Sequence, residues 1–201
     1  MKYGLGSLLA ADALVLSFGY AQADVLTLTS PQIQDNGTLP AKNGASRSVA
    51  EQLHLSFAAN CVGENVSPAL QWSGAPDTTK SFALLLTDPE GRAPLGVTHM
   101  IIYGIPADVK GFAEGELGQP SDKFIGGKNL MGVGTYFGPC PPPNTDWHHN
   151  TWTLIATDLD PKDPALKPGM TREELAAALG VGTPNSHVKS SAGLVTRFQH
   201  P

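Results

Sequence analysis

Charge is scarce in this 201-residue chain: Asp, Glu, Lys and Arg make up 15% of it, against about 25% in an ordinary soluble domain. That shortage excludes a charge-driven disordered segment and a coiled coil, both of which need charged residues in quantity. Basic residues are fewer than acidic ones, 13 against 18, for a formal net charge of -5. A nucleic-acid binder needs a basic stripe to displace counterions, so nucleic acid is excluded as a partner. After residue 21 no apolar run is long enough to span a bilayer, and the mature chain has no transmembrane segment. There are only two cysteines, and no His-Glu-x-x-His helix or paired Cys-x-x-Cys supports a metal. A Gly-x-Ser-x-Gly elbow is also missing, and no cofactor motif is present.

What remains is apolar and punctuated. Hydrophobic residues reach 41%, with 22 glycines and 17 prolines between them. The N-terminus reads as an address: Lys2 precedes an apolar stretch from Leu5 to Ala21, and Ala21-Gln22-Ala23 has the small-x-small form a signal peptidase accepts. Cleavage after Ala23 assigns residues 1–23 to a signal peptide and 24–201 to one exported domain, periplasmic or secreted. A buried N-terminal helix is the alternative, to which Asp12 lends weight. In an oxidising compartment Cys61 and Cys140 can persist as a disulfide, the alternative being two buried thiols.

Short β-forming segments bounded by Pro, Gly, Asp or Asn recur at 25–29, 52–57, 81–86, 100–105 and 151–157. One helix is well signalled, from Thr171 to Leu179, with Thr171 and Glu174 forming a capping box, Leu175 and Leu179 on one face, and Gly180 as the stop. A second short helix is expected from His187 to about Ala192. Many strands and few helices, without βαβ alternation, predict an all-β-dominated fold: an antiparallel β-sandwich with short peripheral helices.

Four segments carry special chemistry. Cys61 to Trp72 (CVGENVSPALQW) holds Ser67 extended before Pro68 and offers Trp72 to the core. Asp88 to Pro94 (DPEGRAP) is an acidic turn after a strand. His99 opens the next strand. Tyr136 to Trp152 contains the donor-poor Gly138-Pro139-Cys140-Pro141-Pro142-Pro143 loop, then His148 and His149 at a strand start. Adjacent strand residues face opposite sides, so only one of these two histidines can enter a given site. Taken singly, the turn reads as solvated and His99 as a satisfied histidine; a Cys140–His148 thiol dyad is less simple than a disulfide.

In that order, CVGENVSPALQW, DPEGRAP, HMIIYGIPADV, GKNLMGVGTYFGPCPPP, HHNTWTLIATDLD and HVKSSAGLVTRF resemble the phosphatidylethanolamine-binding protein family, which includes the Raf kinase inhibitor proteins and bacterial relatives. The resemblance spans nearly all of the mature chain. It implies a β-sandwich with a small anion-binding cavity at one end, to which Asp88, His99, Gly138, Pro139, Pro141 and His148 would contribute, with Glu90 where the family usually has a second aspartate. Three departures stand out. Gly91-Arg92 lengthens the acidic turn, Met100 replaces an aromatic and so thins a wall, and Asn150 replaces a tyrosine.

A carboxylate beside a histidine favours the imidazolium, which donates to a phosphate or carboxylate oxygen. The expected function is therefore non-catalytic binding of a small phosphorylated or anionic head group. An inhibitory protein-interaction module, with a protease or kinase as partner, is the first alternative. An enzyme or enzyme accessory using Asp88, His99 and His148 as acid–base groups is the second.

Overall fold

The computed structural model describes residues 25–92 and 95–201. The expected signal peptide lies outside the described residues. The order of elements is β1 (Thr27–Thr29), β2 (Gly37–Thr38), α1 (Arg47–Gln52), β3 (Leu70–Ser73), β4 (Ser81–Asp88), β5 (Val97–Pro106), β6 (Gly111–Phe112), β7 (Ile125–Gly126), β8 (His148–Thr157), α2 (Arg172–Ala178) and β9 (Val188–Phe198), with single 3₁₀ turns between some of them. A six-stranded sheet runs β2-β9-β8-β4-β5-β7 and a three-stranded sheet runs β1-β3-β6. All pairings are antiparallel except β2 with β9. The architecture is the expected β-sandwich with short helices.

The inner core lies between the two sheets. Leu28, Leu70, Trp72 and Phe112 of the small sheet meet Phe82, Leu84, Leu86, Ile102, Trp152 and Leu154 of the large one. On the large sheet's other face, Ala83, Leu85, Ile101 and Tyr103 pack against Leu175 and Leu179 at the second helix. The strand β4 is thus covered on both sides, which explains its unbroken apolar sequence: neither face has water to meet. Each large aliphatic side chain buried here contributes about 1.5–3 kcal/mol. The helix α2 starts where the capping box predicts. Thr171 accepts from the Glu174 N–H, and Glu174 returns a carboxylate oxygen to the Thr171 N–H at 2.8 Å.

Two local expectations are corrected. Residues 52–57 do not form a strand: Ser46 caps α1 by accepting from the Val49 N–H, and the helix gives way at His54, whose φ is 55°. The Leu53 and Leu55 alternation instead points into a small cluster with Ala45 and Phe137. The segment from His187 to Ala192 is not helical either; it opens β9, which pairs along the length of β8 from Thr157↔Val188 to His148↔Phe198. Ten cross-strand pairings outweigh the weak local preference of a Lys-Ser-Ser-Ala stretch.

Candidate functional site

Antiparallel order builds the site. With β8, β4 and β5 side by side, the end of β4 lies between the starts of β8 and β5. Asp88, the last residue of β4, therefore sits between His148, the first of β8, and His99 near the start of β5. A register shift aims the second histidine. Leu86 pairs with Met100, but Thr87 pairs with Thr98, leaving His99 as the extra residue of a β-bulge. Simple alternation would turn His99 to the same face as Ile101 and Tyr103. The bulge swings it to the face of Leu86 and Asp88 instead.

These side chains border a cavity of about 300 Å³. Asp88, His99 and His148 supply polar groups, joined by Arg92 and Asn60, while Phe57, Val97, Leu130, Met131, Phe137, Pro141 and Pro142 supply apolar wall. Every oxygen of the Asp88 carboxylate is engaged. Its Oδ1 accepts from the Glu90 and Gly91 N–H groups at 3.0 and 2.9 Å, which folds the acidic turn around it. Its Oδ2 accepts from His148 Nδ1 at 2.7 Å. His99 Nε2 stands 3.7 Å from the same Oδ2, too long for a hydrogen bond but within strong Coulomb range. Burial pushes the Asp88 carboxyl up, but the two imidazoles outweigh it and hold it down at about 2. The carboxylate is ionised across the physiological range.

The histidine tautomers follow from their partners. His99 Nδ1 lies 2.9 Å from the Phe137 carbonyl, which can only accept, so Nδ1 carries a hydrogen. Its Nε2 is buried and has no hydrogen-bond partner among the described residues. For His148, the ionised Asp88 takes the Nδ1 hydrogen, which leaves Nε2 as the ring nitrogen for anything that enters the cavity.

Not every candidate lines that space. Pro141 does, as do Asp88, His99 and His148. Glu90 does not: its carboxylate accepts from His149 Nδ1 at 2.8 Å and from the His149 N–H at 3.0 Å. Adjacent on β8, His148 and His149 thus face opposite sides, and each takes one carboxylate of the acidic turn. Burial raises the Glu90 carboxyl, and the hydrogen bonds from His149 outweigh it, so it too titrates below its ordinary range. Gly138 and Pro139 do not line the cavity either. The Pro139 carbonyl accepts from the Ala45 N–H at 3.0 Å. A Cβ at Gly138 would come within 2.2 Å of the Asn43 carbonyl oxygen, so only glycine allows these backbones to touch.

The departures from the family pattern also fall out differently. Met100 is fully buried in the inter-sheet core and is not among the cavity's lining residues, so it thins no wall. Asn150 is likewise buried, with its Oδ1 unpartnered among the described residues. The lengthened turn does reach the cavity, where Gly91 and Arg92 form part of its border.

Three further features brace the cavity walls, the first of them the disulfide expected from the two cysteines. Cys61 and Cys140 are joined by a disulfide that ties the Phe57–Asn60 wall to the proline loop. Closing a loop of 79 residues stabilises the chain by about 4.5 kcal/mol in the chain-entropy model. Asn129 donates to the His99 carbonyl at 2.7 Å and accepts from the Met131 and Val133 N–H groups at 3.0 Å each, fastening the Leu130–Met131 wall to β5. Asn65 bonds the Tyr136–Gly138 backbone from the far side. Hydrogen-bonded asparagines at turns are too common to be picked out by residue type alone.

Comparison with known proteins shows the family and the fold. Residues 29–187 match the family model of the phosphatidylethanolamine-binding proteins. A UPF0098 protein of Methanothermobacter thermautotrophicus is 38% identical over 143 residues, spanning 69% of this chain and 86% of its own. The lipoprotein LppC of Mycobacterium tuberculosis is 32% identical over 159 residues, spanning 78% of this chain and 66% of that one. The crystal structure of Escherichia coli YbcL, described as a new member of the mammalian PEBP family, superposes with a TM-score of 0.70 at 24% identity, covering 87% of this chain and 98% of that one. A lipoprotein-named relative and an intramolecular disulfide both point to export. On its sequence match, its sheet order and the residues gathered at the end of that sheet, this chain belongs to the phosphatidylethanolamine-binding protein family.

Proposed function

We propose that the chain is a non-catalytic binder of small phosphorylated or carboxylate-bearing groups, acting outside the cytoplasm after cleavage of its leader near Ala23. The observation that carries this reading is the carboxylate-held His148, whose Nδ1 is occupied by Asp88 while the ring borders a part-apolar cavity. An ionised Asp88 alone would repel an anion. Protonation of the imidazoles reverses the local sign, and Arg92 at the border adds a permanent cation. The buried Phe137 and the two prolines stiffen one side of the cavity, which loses little entropy there on binding. Glu90 offers no acceptor for an amino group of the ligand because it lies outside the cavity, against His149. Selectivity thus rests on the anionic part of the guest.

Affinity for phosphate and phosphoethanolamine should fall as pH rises, because a neutral imidazole keeps one hydrogen, committed here to the Asp88 carboxylate or the Phe137 carbonyl, and has none to donate to an anion. Titration calorimetry at a series of pH values reads the effect directly. Constant affinity would remove imidazolium as the donor. The variant His148→Ala should lose binding and also lower the melting temperature, since it leaves the buried Asp88 Oδ2 without its hydrogen-bond donor; binding is therefore measured well below the variant's own melting transition.

A second reading is an inhibitory or docking module for a protease or another protein. It is favoured by Phe57 and Leu130, large apolar side chains of the cavity border that stay exposed. Inhibition assays against a protease panel, with Leu130→Ser as the control, separate it from head-group binding.

A further inference from the structure

Among the described residues the His99 ring makes one hydrogen bond, from its Nδ1 to the Phe137 carbonyl. That carbonyl belongs to the planar peptide group joining Phe137 to Gly138, so whatever fixes the Gly138 N–H also fixes the direction of the Phe137 oxygen. The Gly138 N–H donates to Asn65 Oδ1 at 2.9 Å. Asn65 Nδ2 in turn donates to the Tyr136 carbonyl at 3.2 Å, in the peptide group on the other side of Phe137. One side chain therefore holds both peptide planes that flank Phe137. Asn65 itself is anchored with φ near 60° and its N–H on the Gly44 carbonyl at 2.7 Å. It does not border the cavity.

We infer that Asn65 is a positioning residue for the site: it aims the Phe137 carbonyl, which holds a hydrogen on His99 Nδ1 and thereby turns His99 Nε2 toward Asp88. The inference builds on the reading of the cavity as an anion site, but its physical content is the tautomer and orientation of one ring. Without Asn65 the 137–138 peptide loses its restraint and can rotate. His99 then has no fixed acceptor, and its ring samples the alternative tautomer. The second imidazole beside Asp88 Oδ2 ceases to be held in register with His148.

Two variants isolate the effect, because glycine and aspartate both tolerate the left-handed backbone at this position. Asn65→Gly removes both side-chain bonds. Asn65→Asp keeps an acceptor for the Gly138 N–H and puts a second oxygen where the donor to the Tyr136 carbonyl stood, so that bond gives way to a repulsion. Ring nitrogen NMR of the ligand-free protein at about pH 9, where a neutral imidazole reveals its tautomer, should show His99 hydrogenated at Nδ1 in the wild type and in Asn65→Asp. In Asn65→Gly it should show a tautomer mixture. Phosphate affinity, measured by calorimetry, should drop about tenfold in Asn65→Gly, the equivalent of one lost buried hydrogen bond, and by less than about twofold in Asn65→Asp.

Melting temperature serves as the folding control. A folded Asn65→Gly protein that keeps the wild-type His99 tautomer overturns the inference. So does an Asn65→Asp protein that loses it, and this second variant decides the matter if the glycine variant does not fold. Failure of the wild type to bind phosphate would remove the anion-site reading alone, because the ring nitrogen spectra answer the positioning question without any ligand.

Discussion

The acidic turn after β4 makes the same chemical pair twice, once on each face of the large sheet. Asp88 with His148 faces the cavity and Glu90 with His149 faces outward, at nearly equal distances of 2.7 and 2.8 Å. The side chains differ in burial: 5% and 13% exposed for the first pair, 39% and 45% for the second. Distance alone would rate them as equals. Burial decides otherwise, because the inner carboxylate has traded water for three hydrogen-bond donors with a second imidazole close by, whereas the outer one still has solvent as a substitute for His149. The inner pair is therefore a fixed part of the architecture, and the outer pair is a surface contact that fastens the turn to β8.

The contrast is most exposed to failure in a pair of substitutions. Asp88→Ala should cost about 3–5 kcal/mol, since it strands two turn N–H groups and the His148 Nδ1 hydrogen in a buried setting. Glu90→Ala should cost no more than about 1 kcal/mol, the range of solvent-screened ion pairs. Urea denaturation of both variants measures the gap, and equal losses would collapse the distinction drawn here. Acid titration gives a second, smaller effect. The Asp88 carboxyl is held at about 2 in the folded chain against 3.8 unperturbed, so its contribution is present in full above the unfolded value. It disappears as pH falls through the folded one. The sum is about 2 kcal/mol of stability lost between about pH 4 and about pH 2, absent in Asp88→Asn and nearly intact in Glu90→Gln. The smallest effect is a salt response. Raising ionic strength to about 1 M should erase most of the coupling between Glu90 and His149 in a double-mutant cycle, about 0.2–1 kcal/mol, while leaving that of Asp88 and His148 largely unchanged.

Elements with a strong local signal were legible in the sequence. The apolar runs at 81–86, 100–105 and 151–157 lie in β4, β5 and β8, and the capping box opens α2. The strand β9 was not legible, because its outer residues are small and polar and its identity comes from the partner β8. The same limit applies to the site. The sequence marks Asp88, His99 and His148 as chemically apt, and strand alternation correctly separates His148 from His149. Nothing in a one-dimensional pattern shows that Glu90 follows His149 outward, since that depends on where the turn comes back against β8. Asn65 and Asn129 escaped notice for a related reason: each acts on backbone groups, and backbone partners leave no trace in residue types.

The extra residue at His99 gives β5 something like a reading frame. Upstream of Met100 every side chain is one step out of phase with the residues that follow, and the cavity belongs to the shifted frame. Deleting Thr98 would leave composition, strand length and core almost untouched, yet would restore the unshifted phase and present the imidazole to the opposite side of the sheet. Sequence comparisons that place a gap at this point are therefore comparing two different surfaces, however well the flanking residues agree.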